Sequence, residues 1–275
     1  MKRLRSFGLS DIGLGRPNNE DVWIALPKMG FFAIADGMGG HKAGEVAAYE
    51  AITHLAASME KISTEDPLKL LIELREAIER ANYWVYSLSQ KEESFRGMGT
   101  TLCCLIWSEQ AVVYGHVGDS RVYRMREQQL ELLTQDHSLY AKWKKFGRRA
   151  DTPYPYKNVI TKAIGTSLHS SPEIAISTYL PGDLFFLCTD GLTDVLFLKD
   201  IEKILNASNS LEEGASELIL AAKNKGSSDN ITVLMIQNAA SIEENLLRQQ
   251  RYNPLGPSSE GSYAPRSDGS ASEPF

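Results

Sequence analysis

The run Gly30-Phe31-Phe32-Ala33-Ile34-Ala35-Asp36-Gly37-Met38-Gly39-Gly40 constrains this chain more than any other stretch. Phe31 to Ala35 is short, apolar and unbroken. That pattern suits a strand buried on both faces better than a helix. It runs straight into a carboxylate set among glycines. A carboxylate at the end of a buried strand is held rigidly beside low-dielectric surroundings, and glycine lets backbone approach whatever it binds. Alone, the segment has two readings: an Asp-Gly hairpin turn, or a binding site.

The same grammar returns along the chain. Val117-Gly118-Asp119, Cys188-Thr189-Asp190-Gly191 and Asp229-Asn230-Ile231 each place an aspartate at the edge of an apolar run, and Glu20-Asp21 precedes another. So many carboxylates at strand ends repel one another unless cations sit among them. The donors are all oxygen, with no His or Cys cluster, which favours Mg²⁺ or Mn²⁺ over Zn²⁺. Two such ions a few Å apart acidify a shared water and clamp the oxygens of an in-line displacement. Arg16, in the loop ahead of Glu20, has the side chain best shaped to grip phosphate through paired hydrogen bonds. The combination predicts hydrolysis of a phosphate ester. No Walker-type glycine loop ending in Lys-Ser/Thr is present, which argues against a nucleotide-driven kinase or ATPase.

Bulk properties narrow the class. The formal charge of −6 argues against nucleic acid as the main partner. The three cysteines, Cys103, Cys104 and Cys188, lie in apolar runs without metal spacing and read as reduced core residues of an intracellular protein. The basic start Met1-Lys2-Arg3-Leu4-Arg5 lacks the apolar stretch of a signal peptide, and no apolar run is long enough to cross a bilayer. A cytoplasmic chain with no membrane partner is expected.

In chain order, strands are expected at residues 4–10 and 22–26. A helix follows with Ala48, Ala51, Ile52, Leu55 and Met59 on one face. A second helix opens at Asp66-Pro67 and carries Leu70, Leu74, Ala77, Ile78, Ala81, Val85 and Leu88. Two such helices should lie together on a sheet. Strands follow at 102–107, 111–117, 122–125, 159–165, 173–178, 184–188 and 231–237. Helices are expected at 198–205 and 211–224, and a short one at 242–250. Residues beyond Arg251 are rich in Ser, Pro and Gly and should be disordered. This divides the chain into a folded domain, 1–238, and a helix-plus-tail segment, 239–275.

Several motifs taken together resemble the bacterial metal-dependent protein phosphatases, the type-2C Ser/Thr phosphatases. They are Ser10-Asp11-x-Gly13, Arg16-x-x-Asn19-Glu20-Asp21, Asp36-Gly37-Met38-Gly39-Gly40, Gly97-Met98-Gly99-Thr100-Thr101, Gly118-Asp119-Ser120-Arg121, Asp136-His137-Ser138, Asp190-Gly191-Leu192-x-Asp194 and Asp229-Asn230. Each is weak by itself; their shared order is strong. The resemblance implies an α+β fold, a sandwich of two antiparallel sheets with helix pairs on both outer faces. It implies that Asp36 bridges two metals, Mn²⁺ or Mg²⁺, that the Gly37 carbonyl binds one, and that Asp190 and Asp229 hold one. Glu20 supports the other through water. Asp119 resembles the ligand of a third, weaker metal, with Asp190 and Asp194 sharing it, and Asp21 stands behind the ligands. Arg16 binds the substrate phosphate, and the attacking group is the hydroxide bridging the metals. Phosphoserine and phosphothreonine proteins would be the substrates of a monomer, and a bacterial Ser/Thr kinase its opponent.

The chain departs from the family in two places. Met38 stands where some members carry a histidine acid; His41 and His137 read as structural, and a metal-bound water could protonate the leaving oxygen instead. Between residues 142 and 158, where the family has its flap, this chain is basic (Lys142, Lys144, Lys145, Arg148, Arg149), and Tyr154-Pro155 replaces the usual His-Pro. A solvated helix face or a surface for acidic phosphopeptides would both explain that composition. A catalytically weak, partner-binding pseudophosphatase and a two-metal nuclease are the competing functions. The intact carboxylates and Arg16 count against the first, and the acidic charge against the second.

Overall fold

A computed structural model describes residues 4–39, 43–145, 156 and 158–238 of the 275-residue chain. Its strands are β1 (Leu4–Asp11), β2 (Asp21–Leu26), β3 (Phe31–Met38), β4 (Gly99–Thr100), β5 (Leu102–Trp107), β6 (Val112–Val117), β7 (Arg121–Arg126), β8 (Gln129–Leu132), β9 (Glu173–Ser177), β10 (Leu184–Cys188) and β11 (Ile231–Asn238). Its helices are α1 (Ala43–Met59), α2 (Pro67–Lys91), α3 (Leu139–Lys145), α4 (Asp190–Thr193), α5 (Leu198–Ala207) and α6 (Leu211–Asn224).

The strands form two antiparallel sheets, ordered β1-β11-β10-β7-β8 and β2-β3-β5-β6-β9, with β4 beside β3. The period of two in β3 builds the layers. Phe31, Ala33 and Ala35 face α1 and α2, while Phe32 and Ile34 point into the space between the sheets. That inner layer also holds Trp107, packed against Tyr179 and Phe185 at ring separations of 5.0 Å. A third layer lies under α5 and α6 on the outer face of the other sheet. This is the expected α+β sandwich. The apolar residues expected on the first two helices are buried or packed against the core, and the Asp66 carboxylate caps α2 by accepting from Leu68 N at 2.9 Å. All three cysteines are buried and unbridged.

Two expectations change, and one hairpin was not expected. Asp36-Gly37 is no hairpin turn: β3 continues through Met38, with Gly37 and Met38 paired to Thr100 and Gly99. Residues 159–165 are not a strand. They make only the single bridges Ser138–Ile160 and Thr100–Ile164, because the segment crosses between loops: Thr161 N donates to His137 O and Thr100 N to Ile164 O. The hairpin β7–β8 carries no glycine signal; its turn residues Glu127 and Gln128 take positive φ of 49° and 67°. The helix expected at 242–250, the 251–275 tail, His41, Arg148, Arg149, Tyr154 and Pro155 lie outside the described residues. Among the described residues, no helix is long and apolar enough to cross a membrane.

Candidate active site

Antiparallel pairing decides where the acids meet. The C-terminal ends of β3, β6 and β10 and the N-terminal ends of β2 and β11 share one edge of the sandwich. A cleft of about 510 Å³ opens there, lined by Arg16, Glu20, Asp36, Gly37, Asp119, Asp190 and Asp229. Asn158 and Ile160 form part of its wall. Asp21 and Asp194 are not in the lining. Asp21 is buried behind it, opposite Asp36 in the β2–β3 register. Asp194 closes α4, its N–H donating to Asp190 O at 2.8 Å, and its charge acts on both Asp119 and Asp190.

The backbone around the acids is tightly fastened. Asp36 N donates to Thr101 Oγ1 at 3.0 Å, and Asp36 O accepts from Thr101 N and Thr100 Oγ1, each at 2.8 Å. Glu20 N donates to Asn230 Oδ1 at 2.8 Å, and Asn18 Nδ2 reaches Glu20 Oε1 at 3.1 Å. Asn230 also donates from Nδ2 to Ile12 O and Asn18 O, stapling the start of β11 to the N-terminal loop. A close backbone approach explains the glycines here: a Cβ on Gly37 would fall 2.2 Å from Gly44 O, and one on Gly44 would fall 2.0 Å from Glu20 Oε2. Arg16 Nη2 donates to Asp229 Oδ2 at 2.7 Å.

The carboxylates are short of donors and cations. Asp21 Oδ2 accepts from Thr189 and Thr232 hydroxyls at 2.9 and 2.6 Å, but its Oδ1 is buried without a partner, as is Asp190 Oδ1. Burial first, then the neighbouring Asp21, Asp190, Asp229 and Asp119, push Asp36 well above the usual carboxylate range. Burial and the charges of Asp119 and Asp194 do the same to Asp190. Burial raises Asp21 to about 7 against the pull of its two hydroxyl donors, and burial with the Asp136 charge raises Asp119 to about 6. Among the described residues, Arg16 is the only cationic side chain in the cleft lining, and its bond to Asp229 raises its own pKa.

An all-oxygen donor set with orphaned buried oxygens suits hard divalent cations. Without them the acids would hold protons; with them the charges are neutralised. Two positions in the supporting network were not singled out from sequence, Thr189 and Thr232. Both are ordinary β-strand-edge threonines, and only the meeting of β10 and β11 behind Asp21 gives their hydroxyls a task. Asn18 and Ile160 were likewise unremarkable in sequence.

A two-layer β-sandwich with a carboxylate cleft and Arg16 at its mouth defines a metal-dependent phosphohydrolase. The family model described as protein phosphatase 2C matches residues 8–224. Protein phosphatase PhpP of Streptococcus pneumoniae is 33% identical over 238 residues, covering 83% of this chain and 95% of PhpP. Among solved structures, the serine/threonine phosphatase Stp1 of Staphylococcus aureus superposes with a TM-score of 0.80 at 31% identity, covering 87% of this chain and 96% of Stp1. The catalytic domain of the phosphatase PstP, solved with two manganese ions, superposes with a TM-score of 0.76 at 33% identity, covering 85% of this chain and 97% of that domain. The chain belongs to the protein phosphatase 2C family, the metal-dependent serine/threonine protein phosphatases that its motifs resemble.

Proposed function

We propose that the chain removes phosphate from phosphoserine and phosphothreonine in proteins, using two Mn²⁺ or Mg²⁺ ions in the cleft and a third held more weakly. One observation carries the reading: Asp36, Asp190 and Asp229 converge in a single cleft with an orphaned carboxylate oxygen and Arg16. Asp36 and the Gly37 carbonyl, with Asp190 and Asp229, would hold the core ions, Glu20 would support one through water, and Asp119 with Asp190 and Asp194 would hold the weaker ion. When bound, the ions supply charge neutralisation and an acidified water as nucleophile.

The chain's own residues do the rest. Arg16 takes the phosphate oxygens that point out of the cleft, through a planar fork that a lysine lacks. The threonine and asparagine network fixes the backbone that carries Asp36 and Glu20, and the carboxylate of Asp21 behind them, so that the site is pre-organised for cations and substrate. Asp21 stands behind Asp36, fixed by the Thr189 and Thr232 hydroxyls. Met38 lies in the cleft lining and carries no ionisable group.

The domain responsible would end at Asn238, where β11 closes its sheet, with 239–275 as an appended tail. We read the enzyme as a cytoplasmic monomer opposing a bacterial Ser/Thr kinase and that kinase's substrates. The test is hydrolysis of a phosphothreonine peptide by the full chain with Mn²⁺ and with EDTA. Activity that needs Mn²⁺ supports the reading. A folded, Mn²⁺-loaded chain that hydrolyses nothing would turn it to a partner-binding pseudophosphatase.

A further inference from the structure

His137 lies outside the cleft lining yet is buried directly behind the turn that delivers Asp119. It grips both backbone groups of Gly118: its N–H donates to Gly118 O at 2.9 Å, and its Nδ1 accepts from Gly118 N at 3.1 Å. Gly118 takes φ of 104°, and a Cβ there would fall 2.7 Å from Thr101 Cγ2, so the turn requires glycine. The same histidine reaches the cleft wall. Its carbonyl accepts from Thr161 N at 2.6 Å, and Ser138 bridges Ile160, a lining residue.

The ring is oriented from its other side. A lone pair on Nδ1 is needed to accept from Gly118, so the proton of the neutral ring sits on Nε2. That atom faces Glu173 Oε1 at 3.0 Å. The ring stacks on His116 at 4.5 Å and 14°, and His116 Nε2 is fixed at 2.9 Å from Gln135 O. Burial lowers the pKa of both histidines, His137 to about 4, so the accepting tautomer persists at neutral pH. His116, His137 and Glu173 lie close enough to hold a cation. The Gly118 bond argues against that use, because Nδ1 and Nε2 of one neutral ring cannot both offer lone pairs.

We propose that His137, held by its Nδ1 bond to Gly118 and its stacking on His116, is a positioning residue for Asp119: it holds the Gly118–Asp119 turn where Asp119 supports the weakly bound cation. The proposal rests on the reading of Asp119 as a ligand given above.

The test uses the full chain and three variants: His137→Gln, His137→Asn and Asp119→Asn. Mn²⁺ binding is followed by calorimetry, beside phosphopeptide kcat and KM and thermal melting. Glutamine keeps a donor near Nε2 and loses the δ acceptor; asparagine keeps an acceptor at the δ position. His137→Gln should weaken the weaker Mn²⁺ class roughly 10–100-fold and lower kcat, leaving the tight class and KM unchanged. His137→Asn should restore most of the loss. Equal effects of Gln and Asn would overturn the proposal, since a purely structural histidine would show no acceptor-specific rescue. Weak-site loss in Asp119→Asn but not in His137→Gln would overturn the positioning link alone. An unchanged weak class in Asp119→Asn would overturn the ligand reading and the proposal with it.

Discussion

Strand β10 has an aspartate just beyond each end, and the two are treated in opposite ways. Asp183, before the strand, is 2% exposed and fully partnered: Arg126 reaches it from Nε at 2.9 Å and from Nη2 at 2.6 Å, and Leu180 N donates at 2.8 Å. Asp190, after the strand, has a buried oxygen with no donor, and the charges acting on it are those of Asp119, Asp194, Asp229 and Asp21. A buried carboxylate with its own arginine is complete within the fold. A group of them with only Arg16 at the rim among the described residues keeps its charge only when cations come from solution, and takes up protons otherwise. The same residue type therefore closes a turn at one end of a strand and makes a reaction centre at the other.

Four measurements would break or sharpen this contrast. The largest effect belongs to the centre of the cleft. Asp36→Asn should lower Mn²⁺-dependent phosphopeptide turnover roughly a thousandfold, the several kcal/mol of charge stabilisation that a lost metal ligand implies. Melting in EDTA should show a nearly unchanged fold, because without metal the buried Asp36 carboxyl already holds a proton and the amide is its neutral isostere. Asp183→Ala should do the reverse, leaving kcat intact while destabilising the protein by about 2–3 kcal/mol in denaturant titration. That value is set below the cost of breaking a fully buried pair because the Arg126 side chain is 27% exposed.

Arg16 tests the rim of the cleft. Arg16→Lys should raise KM for a phosphopeptide about tenfold and change kcat less, since lysine keeps the charge and loses the fork. Equal losses for Lys and Ala variants would show that geometry matters more than charge there.

The smallest effect is in pH. Asp21 and Asp119 have folded pKa values raised to about 7 and about 6 from 3.8. The folded state then binds more protons than the unfolded one, so stability without metal is greatest below pH 4 from these groups and is lost as pH rises through 6 to 7. Melting curves in EDTA between pH 5 and about 8 should fall with pH, and Mn²⁺ should flatten or reverse the slope.

Much of the fold was legible because burial leaves a period in the chain. The double burial of β3 shows as an unbroken apolar run, and α1, α2, α5 and α6 show as apolar stripes. Asp66-Pro67 marks the start of α2 because a carboxylate cap and a fixed proline φ are local properties. The failures were non-local. Residues 159–165 have the composition of a strand, yet no neighbour runs alongside them, so they cross between loops. The β7–β8 hairpin uses Glu127 and Gln128 at positive φ, where composition offers no turn signal.

For the site, the order of motifs in the sequence was enough to name the carboxylates, Arg16 and the metal-dependent chemistry, because charge clustered at strand ends is costly and must have a use. What the sequence could not hold is which atoms face one another. The hydroxyls of Thr189 and Thr232 meet behind Asp21 only because β10 and β11 pair antiparallel, and Nδ1 of His137 meets Gly118 only because β6 and the 134–138 loop return to the same edge. Residue types and their periodicity determined the layers and the donor set. Strand pairing between residues far apart in the chain decided which carboxylates lie in the cleft, which lies behind it, and which is already paired.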